Sequence, residues 1–197
     1  MKGNQVSRRD VLKALATRIS ATSYLGVIPL QAARHAHQLI TEEKGASGGV
    51  DYQPKFFDSH QWQTLRKLCE LIIPRDEKSG GALEANAPEF IDLLTSENRD
   101  FQVRLAGGLA WLDNYCNEHS GNPFLACSVE QQRVALELLA YRKNSNAEVS
   151  QGIDFFSFLR DLTADGFYTS EIGIKDIRYI GCDFLSEFPG CPPLPEA

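Results

Sequence analysis

The stretch DSHQWQTLRKLCELIIP, residues 58–74, decides the fold class. Trp62, Leu65, Leu68, Leu71 and Ile72 recur at spacings of three and four, which puts them on one face of an α-helix and does not fit the alternation of a strand. Asp58 or Ser59 can cap that helix, because a short polar side chain accepts from the first unpaired backbone amides. Pro74 stops it, since proline has no amide hydrogen and its ring clashes with the preceding turn. Cys69 falls on the same stripe beside Leu68 and reads as an inert core thiol.

Downstream the same logic repeats. Asn86-Ala87-Pro88-Glu89 supplies a cap, an early proline and an acidic third residue ahead of Phe90, Ile91, Leu93 and Leu94. Phe101, Leu105, Leu109, Leu112 and Tyr115 or Cys116 describe a longer stripe that breaks at Ser120-Gly121-Asn122-Pro123. Ser128-Val129-Glu130-Gln131 is a capping box that opens a helix through Val134, Leu138 and Leu139. Asp154 is the expected cap of the next helix, with Phe155, Phe158, Leu159 and Leu162 inward, and a short one is expected from about Ile174 to Leu185. No useful strand pattern and no solenoid repeat occurs. The sequence therefore predicts an all-α protein, one compact domain of about five to six helices over residues 58–197. About 140 residues suffice to bury roughly two thirds of the unfolded surface, so the domain should hold together without a cofactor.

The chain has 197 residues, 43% of them apolar, with 20 Lys and Arg against 26 Asp and Glu. Residues 1–40 hold six of the basic groups and one acid, so residues 41–197 keep 14 basic against 25 acidic groups. An acidic body of this kind disfavours a nucleic-acid partner, which needs a basic face. No uncharged apolar run approaches the ~20 residues that span a bilayer; Ile19 to Ala33 is short and contains Ser, Thr, Gly and Pro.

Residues 1–40 read as an export address. Ser7-Arg8-Arg9-Asp10-Val11-Leu12-Lys13 precedes a mildly apolar segment, Ala14 to Ala33, and resembles a twin-arginine signal, S/T-R-R-x-F-L-K, departing from it only at Val11. Arg18 lowers the hydrophobicity of the apolar part, which suits export of a folded protein. Ala32 is a candidate cleavage position; uncleaved, the segment is a weak membrane tether. Residues 41–57, with Gly45, Gly48 and Gly49, read as a flexible linker. His35 and His37 stand beside Arg34 ahead of this linker and are expected to be solvated or removed with the signal; metal ligation would need further ligands.

Catalytic motifs are missing. Gly107-Gly108 lies inside a helical stripe, so no G-x-G-x-x-G turn offers itself to a dinucleotide, and C-x-x-C-H, paired short Cys spacings and G-x-S-x-G do not occur. His60 and His119 sit in no recognisable motif, and acids such as Asp113, Asp161, Asp165 and Asp176 read as solvated helix-face residues. No catalytic, cofactor or metal residue is therefore assigned to this chain.

The informative end is Asp161 to Gly173, then Tyr179-Ile180-Gly181, then Phe188-Pro189-Gly190-Cys191-Pro192. Aromatics among Gly, Ser and Thr suggest a surface loop that serves contact, and Gly166, Phe167, Tyr168, Thr169 and Ser170 with Tyr179 and Phe188 to Cys191 are the candidate interface. Internal packing of Phe167 and Tyr168 is the equal alternative for each residue. Cys116 and Cys127 flank the Gly121-Asn122-Pro123 turn, where a disulfide and two free thiols are equally open.

In order, these pieces resemble subunit 3, the small or gamma subunit, of gluconate 2-dehydrogenase and related flavoprotein sugar dehydrogenases. The likeness rests on Leu71-Ile72-Ile73-Pro74 followed by Gly81-Ala82 and Ala87 to Asp92, on Gly108 to Asp113, on Phe124 with Gln131-Gln132, and on Leu162 to Ser170 and Tyr179 to Pro192. It departs at Cys182 and Phe188, where Asn and Tyr are usual. The resemblance implies a non-catalytic accessory subunit without its own cofactor, needed for export and stability of a large FAD-containing subunit of the glucose-methanol-choline type. That subunit, the twin-arginine translocase and a cytochrome c acceptor are the implied partners. The implied location is the periplasm, at the membrane through the complex. Because Cys191 belongs to the family-like tail while Cys182 departs from it, an interchain disulfide at Cys191 is favoured over a bond to Cys182. A free-standing exported binding or structural helical protein, and an exported enzyme of unfamiliar chemistry, are the competing expectations.

Overall fold

The computed structural model of the chain describes residues 30–46 and 52–179, and among these every regular element is helical. In chain order they are α1 (Leu30–Ala46), α2 (Ser59–Ile72), α3 (Ala87–Glu97), α4 (Arg99–Ser120), α5 (Val129–Ala140), α6 (Ser150–Tyr168) and α7 (Glu171–Asp176). Two 3-10 turns, Phe124–Ala126 and Arg142–Asn144, flank α5. The all-α reading of the sequence is the fold.

Local rules set several boundaries. Asp58 caps α2: its carboxylate accepts from Gln61 N at 2.8 Å and Gln61 Oε1 accepts from Asp58 N at 3.3 Å. Ser128 and Gln131 close the same reciprocal pair at the start of α5. Gly121 ends α4 with φ 74°, a left-handed conformation that favours glycine.

Elsewhere tertiary packing overrides the local signals. α6 begins at Ser150, so Asp154 is an exposed residue inside the helix and does not cap it; Asn146 Oδ1 instead shapes the entry by accepting from the amides of Glu148 and Val149. The same helix runs on to Tyr168, so Gly166, Phe167 and Tyr168 form its last turn where a loop is expected. α7 starts at Glu171, ahead of the expected Ile174, and ends at Asp176; the rest of the expected helix, from residue 180 to Leu185, lies outside the described residues.

The largest departure is at the start. α1 occupies the end of the expected export segment and part of the expected linker, and Ala33, Ala36 and Ile40 lie in the core at 0%, 0% and 1% exposure. α1 packs on α3, where Lys44 Nζ donates to Asn86 Oδ1 at 2.5 Å and pairs with the buried Glu89 at 2.8 Å. The described body therefore includes α1, ahead of the start expected near Asp58. Residues 52–57, between α1 and α2, are fixed by the fully buried Asp92 of α3. Its carboxylate accepts from Tyr52 Oη (2.9 Å) and from the amides of Lys55 (2.7 Å), Phe56 (3.1 Å) and Phe57 (3.4 Å). A buried carboxylate demands such donors, so this one residue dictates the path of the segment.

α6 is the central element and packs against α2, α3, α4, α5 and α7. Its crossing with α4 is reciprocal. A Cβ on Gly108 of α4 would overlap the ring of Phe155 of α6, and a Cβ on Gly152 of α6 would overlap the indole of Trp111 of α4. Gly107, one residue earlier, is exposed and has open space at its Cβ position. The two neighbouring glycines should thus respond with opposite signs. Gly108→Ala should lower stability by about 1–3 kcal/mol or more through overpacking, and Gly107→Ala should raise it by about 0.5–1 kcal/mol through helix propensity. Denaturant midpoints measure both, and shifts of the same sign would contradict the interlock.

Candidate functional site

The turn from α6 into α7 is built from residues that face opposite ways. Gly166 lies against α3, where an added Cβ would be 3.1 Å from Phe90 Cδ1 and 3.2 Å from Ala87 Cα. The helix end can therefore settle directly onto α3. This turns the next side chain, Phe167, inward at 2% exposure, while Tyr168 stays 44% exposed, its ring edge-on to Phe167 at 5.0 Å. Ser170 caps α7: its hydroxyl donates to Phe167 O at 2.7 Å and accepts from Gly173 N at 3.1 Å, and Ser170 is itself buried. Gly173 packs against the carbonyl of Phe167, which folds α7 back on the end of α6. Ile177 and Tyr179 follow, 52% and 38% exposed.

Of the candidate interface, Tyr168 and Tyr179 are thus presented at the surface. Gly166, Phe167 and Ser170 build the turn from within, so any contact made here falls to Tyr168 in place of Phe167. Ser7, Arg8, Arg9, Leu12 and Lys13, and Phe188, Pro189, Gly190 and Cys191, lie outside the described residues. Cys116 and Cys127 are buried free thiols and neighbours, Cys127 adding to the burial that raises the Cys116 thiol. Cys69 is fully buried with its sulfur 3.6 Å from Thr163 Oγ1, and burial pushes its thiol up to about 12.

Beside the turn is a cleft of about 480 Å³ between α1 and α7, lined by Arg34, His37 and Thr41 on one side and by Thr169, Glu171 and Lys175 on the other. His37 is not a solvated residue. Its ring stacks on Phe90 at 5.1 Å, a hydrogen bond of 3.0 Å joins Nε2 to Thr169 Oγ1, and it also bonds the backbone of Gly166. Thr169 Oγ1 in turn donates to Asp165 O at 2.5 Å. α1 thereby clamps the same turn that presents Tyr168. Burial lowers the His37 pKa to about 4 against the opposing bond to Gly166, so the imidazole is neutral near pH 7. Burial, and then the charge of Asp161, raises Asp165 to about 6.

Two further placements are not legible in the sequence. His60 Nε2 meets Asp113 Oδ2 at 2.6 Å, and Asp113 Oδ1 accepts from Phe124 N at 2.9 Å. Asp113 is therefore a tie between α2, α4 and the 3-10 turn, and the third member of the set is a backbone amide where a hydrolytic triad would need a nucleophile. His119 stacks on Tyr115 at 4.0 Å and Tyr115 on Trp111 at 5.1 Å, a ladder along α4 that helical spacing of four residues permits. Among the described residues no group of three His, Cys, Asp or Glu side chains could hold a metal ion, and no helix is long and apolar enough to cross a membrane.

The fold and this turn define an all-α protein that presents an aromatic surface at the end of its central helix. The family model for gluconate 2-dehydrogenase subunit 3 matches residues 59–190, and the chain belongs to that family, an accessory subunit of a dehydrogenase. No curated protein and no solved structure matches the chain. The family match opens on the first residue of α2, so α1 and its clamp on the turn lie ahead of the matched stretch.

The His37 clamp has a pH signature. A histidine whose folded pKa of about 4 lies below the unfolded value of 6.5 contributes stability that is complete above pH 6.5 and is lost as pH falls towards 4. Asp165, raised from 3.8 to about 6, acts in the opposite sense, adding stability as pH falls through 6. In an Asp165→Asn background the melting temperature should fall between pH 6.5 and pH 4, and adding His37→Gln should flatten that fall. An unchanged slope would show that His37 is not buried against Phe90.

Proposed function

We propose that the chain is a non-catalytic accessory subunit of a periplasmic FAD-dependent dehydrogenase of the glucose-methanol-choline type, acting on a sugar or polyol. The family match across α2 to α7 carries this reading. The flavin is assigned to the partner, because the glycine pair of this chain lies in mid-helix with Phe155 filling the space over Gly108 and leaves no cradle for a pyrophosphate. Substrate and flavin would then meet on the larger chain, and electrons would leave the FAD for a cytochrome c or another periplasmic acceptor.

The small subunit would supply two things. One is the address: Ser7, Arg8, Arg9, Leu12 and Lys13 match the twin-arginine pattern, which suits a partner that must fold around FAD before it crosses the membrane. The other is a docking surface that stabilises the flavoprotein, for which Tyr168, Ile177 and Tyr179 supply exposed apolar area, aromatic side chains being the usual anchors of such contacts. The periplasm, at the membrane through the complex, is the proposed location.

Two measurements test this reading. Replacing Arg8 and Arg9 by Lys keeps the charge and removes the planar guanidinium fork, and periplasmic dehydrogenase activity should fall by about tenfold or more. Undiminished periplasmic activity would refute the carrier role. Tyr168→Ala should weaken binding to the flavoprotein by roughly 30-fold, the effect of a ~2 kcal/mol anchor, with the isolated subunit's melting temperature nearly unchanged. Phe167→Ala should do the reverse and lower that melting temperature sharply.

A further inference from the structure

Cys116 lies near the end of α4 and Cys127 just after the 3-10 turn, 3% and 7% exposed. Their approach is set by groups other than the thiols. Gly121 reverses the chain with φ 74°, the fully buried ring of Phe124 enters the core, Phe124 N donates to Asp113 Oδ1 at 2.9 Å, and Gln132 Nε2 donates to Phe124 O at 2.9 Å. Cys127 N then donates to Phe124 O at 3.2 Å, and its sulfur to Asn122 O at 3.5 Å. Held in this way, at the end of a turn tied back to α4 at Asp113, Cys127 is a neighbour of Cys116. By contrast, Cys69 hydrogen-bonds to Thr163, a residue of α6, at 3.6 Å.

We propose that Cys116 and Cys127 are a disulfide-forming pair, which a disulfide oxidant joins so that residues 116–127 close into a covalent loop between α4 and α5. In the first step one cysteine thiolate attacks the oxidant's S–S bond, forming a mixed disulfide and releasing one thiol. In the second the other cysteine displaces the second thiol. Two protons and two electrons pass from the pair to the oxidant. The anchors at Asp113, Phe124 and Gln132 involve neither sulfur, so forming the bond does not break them. A cleft of about 260 Å³ lined by Tyr115, Cys116, His119 and Val134 gives the oxidant a route to Cys116. Burial, followed by the neighbouring Cys127, pushes the Cys116 thiol up to about 12, so little thiolate exists at neutral pH and the exchange on the folded chain is slow. The same shielding protects the finished bond from reductants. The pair is accordingly a structural clip and not a reversible sensor, and it needs no partner subunit.

The full-length chain incubated in glutathione buffers of rising disulfide content, in one arm folded and in the other refolding from denaturant, tests this. After alkylation and digestion, mass spectrometry should find the peptides carrying Cys116 and Cys127 linked and two hydrogens lighter, with Cys69 alkylated. The oxidised chain should melt about 5–10 °C above the reduced one, as expected for a loop of this size. A Cys116→Ala/Cys127→Ala double variant that keeps the helical signal should lose that shift. Linkage in either arm supports the proposal. Both cysteines alkylated in both arms, separate glutathione adducts on each, or pairing of either with another cysteine would overturn it.

Discussion

The interlock of α4 and α6 is the constraint on which the rest depends. Each helix gives the other a glycine and takes from it an aromatic ring, Phe155 over Gly108 and Trp111 over Gly152. Such a crossing admits one depth and one register, because sliding either helix by a residue would drive a ring into a Cβ. With α6 fixed, its far end is fixed too. Gly166 meets Phe90 and Ala87, Phe167 turns inward, Gly173 closes α7 onto the Phe167 carbonyl, and Tyr168 is left at the surface.

Buried polar groups do the corresponding work at the other edge. Asp92 gathers Tyr52 and three successive backbone amides, and its charge, after burial itself, raises the Tyr52 phenol well above its ordinary range. Glu89, one turn away, takes the charge of Lys44 from α1, while Arg66 of α2 approaches to 3.7 Å. One oxygen of Glu89 has no hydrogen-bond partner among the described residues, which leaves the carboxylate dependent on its cations. α1 is thus attached by small apolar residues, by an ion pair and by His37. It ties the chain ahead of α2 to the turn that carries Tyr168.

What the sequence reveals divides along the line between local and non-local physics. The caps at Asp58 and Ser128, the stop at Pro74 and the Gly121 turn are legible because a few adjacent residues determine each of them. The start of α6 is not, since Asp154 carries the stronger capping signal, while packing of Gly152 and Ile153 and the Asn146 turn start the helix ahead of it. α1 hides because its core face is Ala33, Ala36 and Ile40, too small and too sparse to stand out from a mildly apolar small-residue segment and a glycine-containing stretch. At the site, the aromatic turn is visible in sequence, but Phe167 and Tyr168 are adjacent, and only the contact of Gly166 with α3 says which of them points out. The pairing of His60 with Asp113 spans 53 residues and has no local signature.

The proposed role requires a flavoprotein complex. The most direct measurement is affinity purification of the tagged full-length chain from cells that express it beside its neighbouring genes, followed by gel filtration with absorbance recorded across the flavin bands. The account predicts a single species in which this chain and a larger one co-elute in fixed ratio, carry FAD, and reduce an artificial electron acceptor when sugar or polyol is added. A folded chain that elutes alone, with no flavoprotein bound and none destabilised by its deletion, would contradict it.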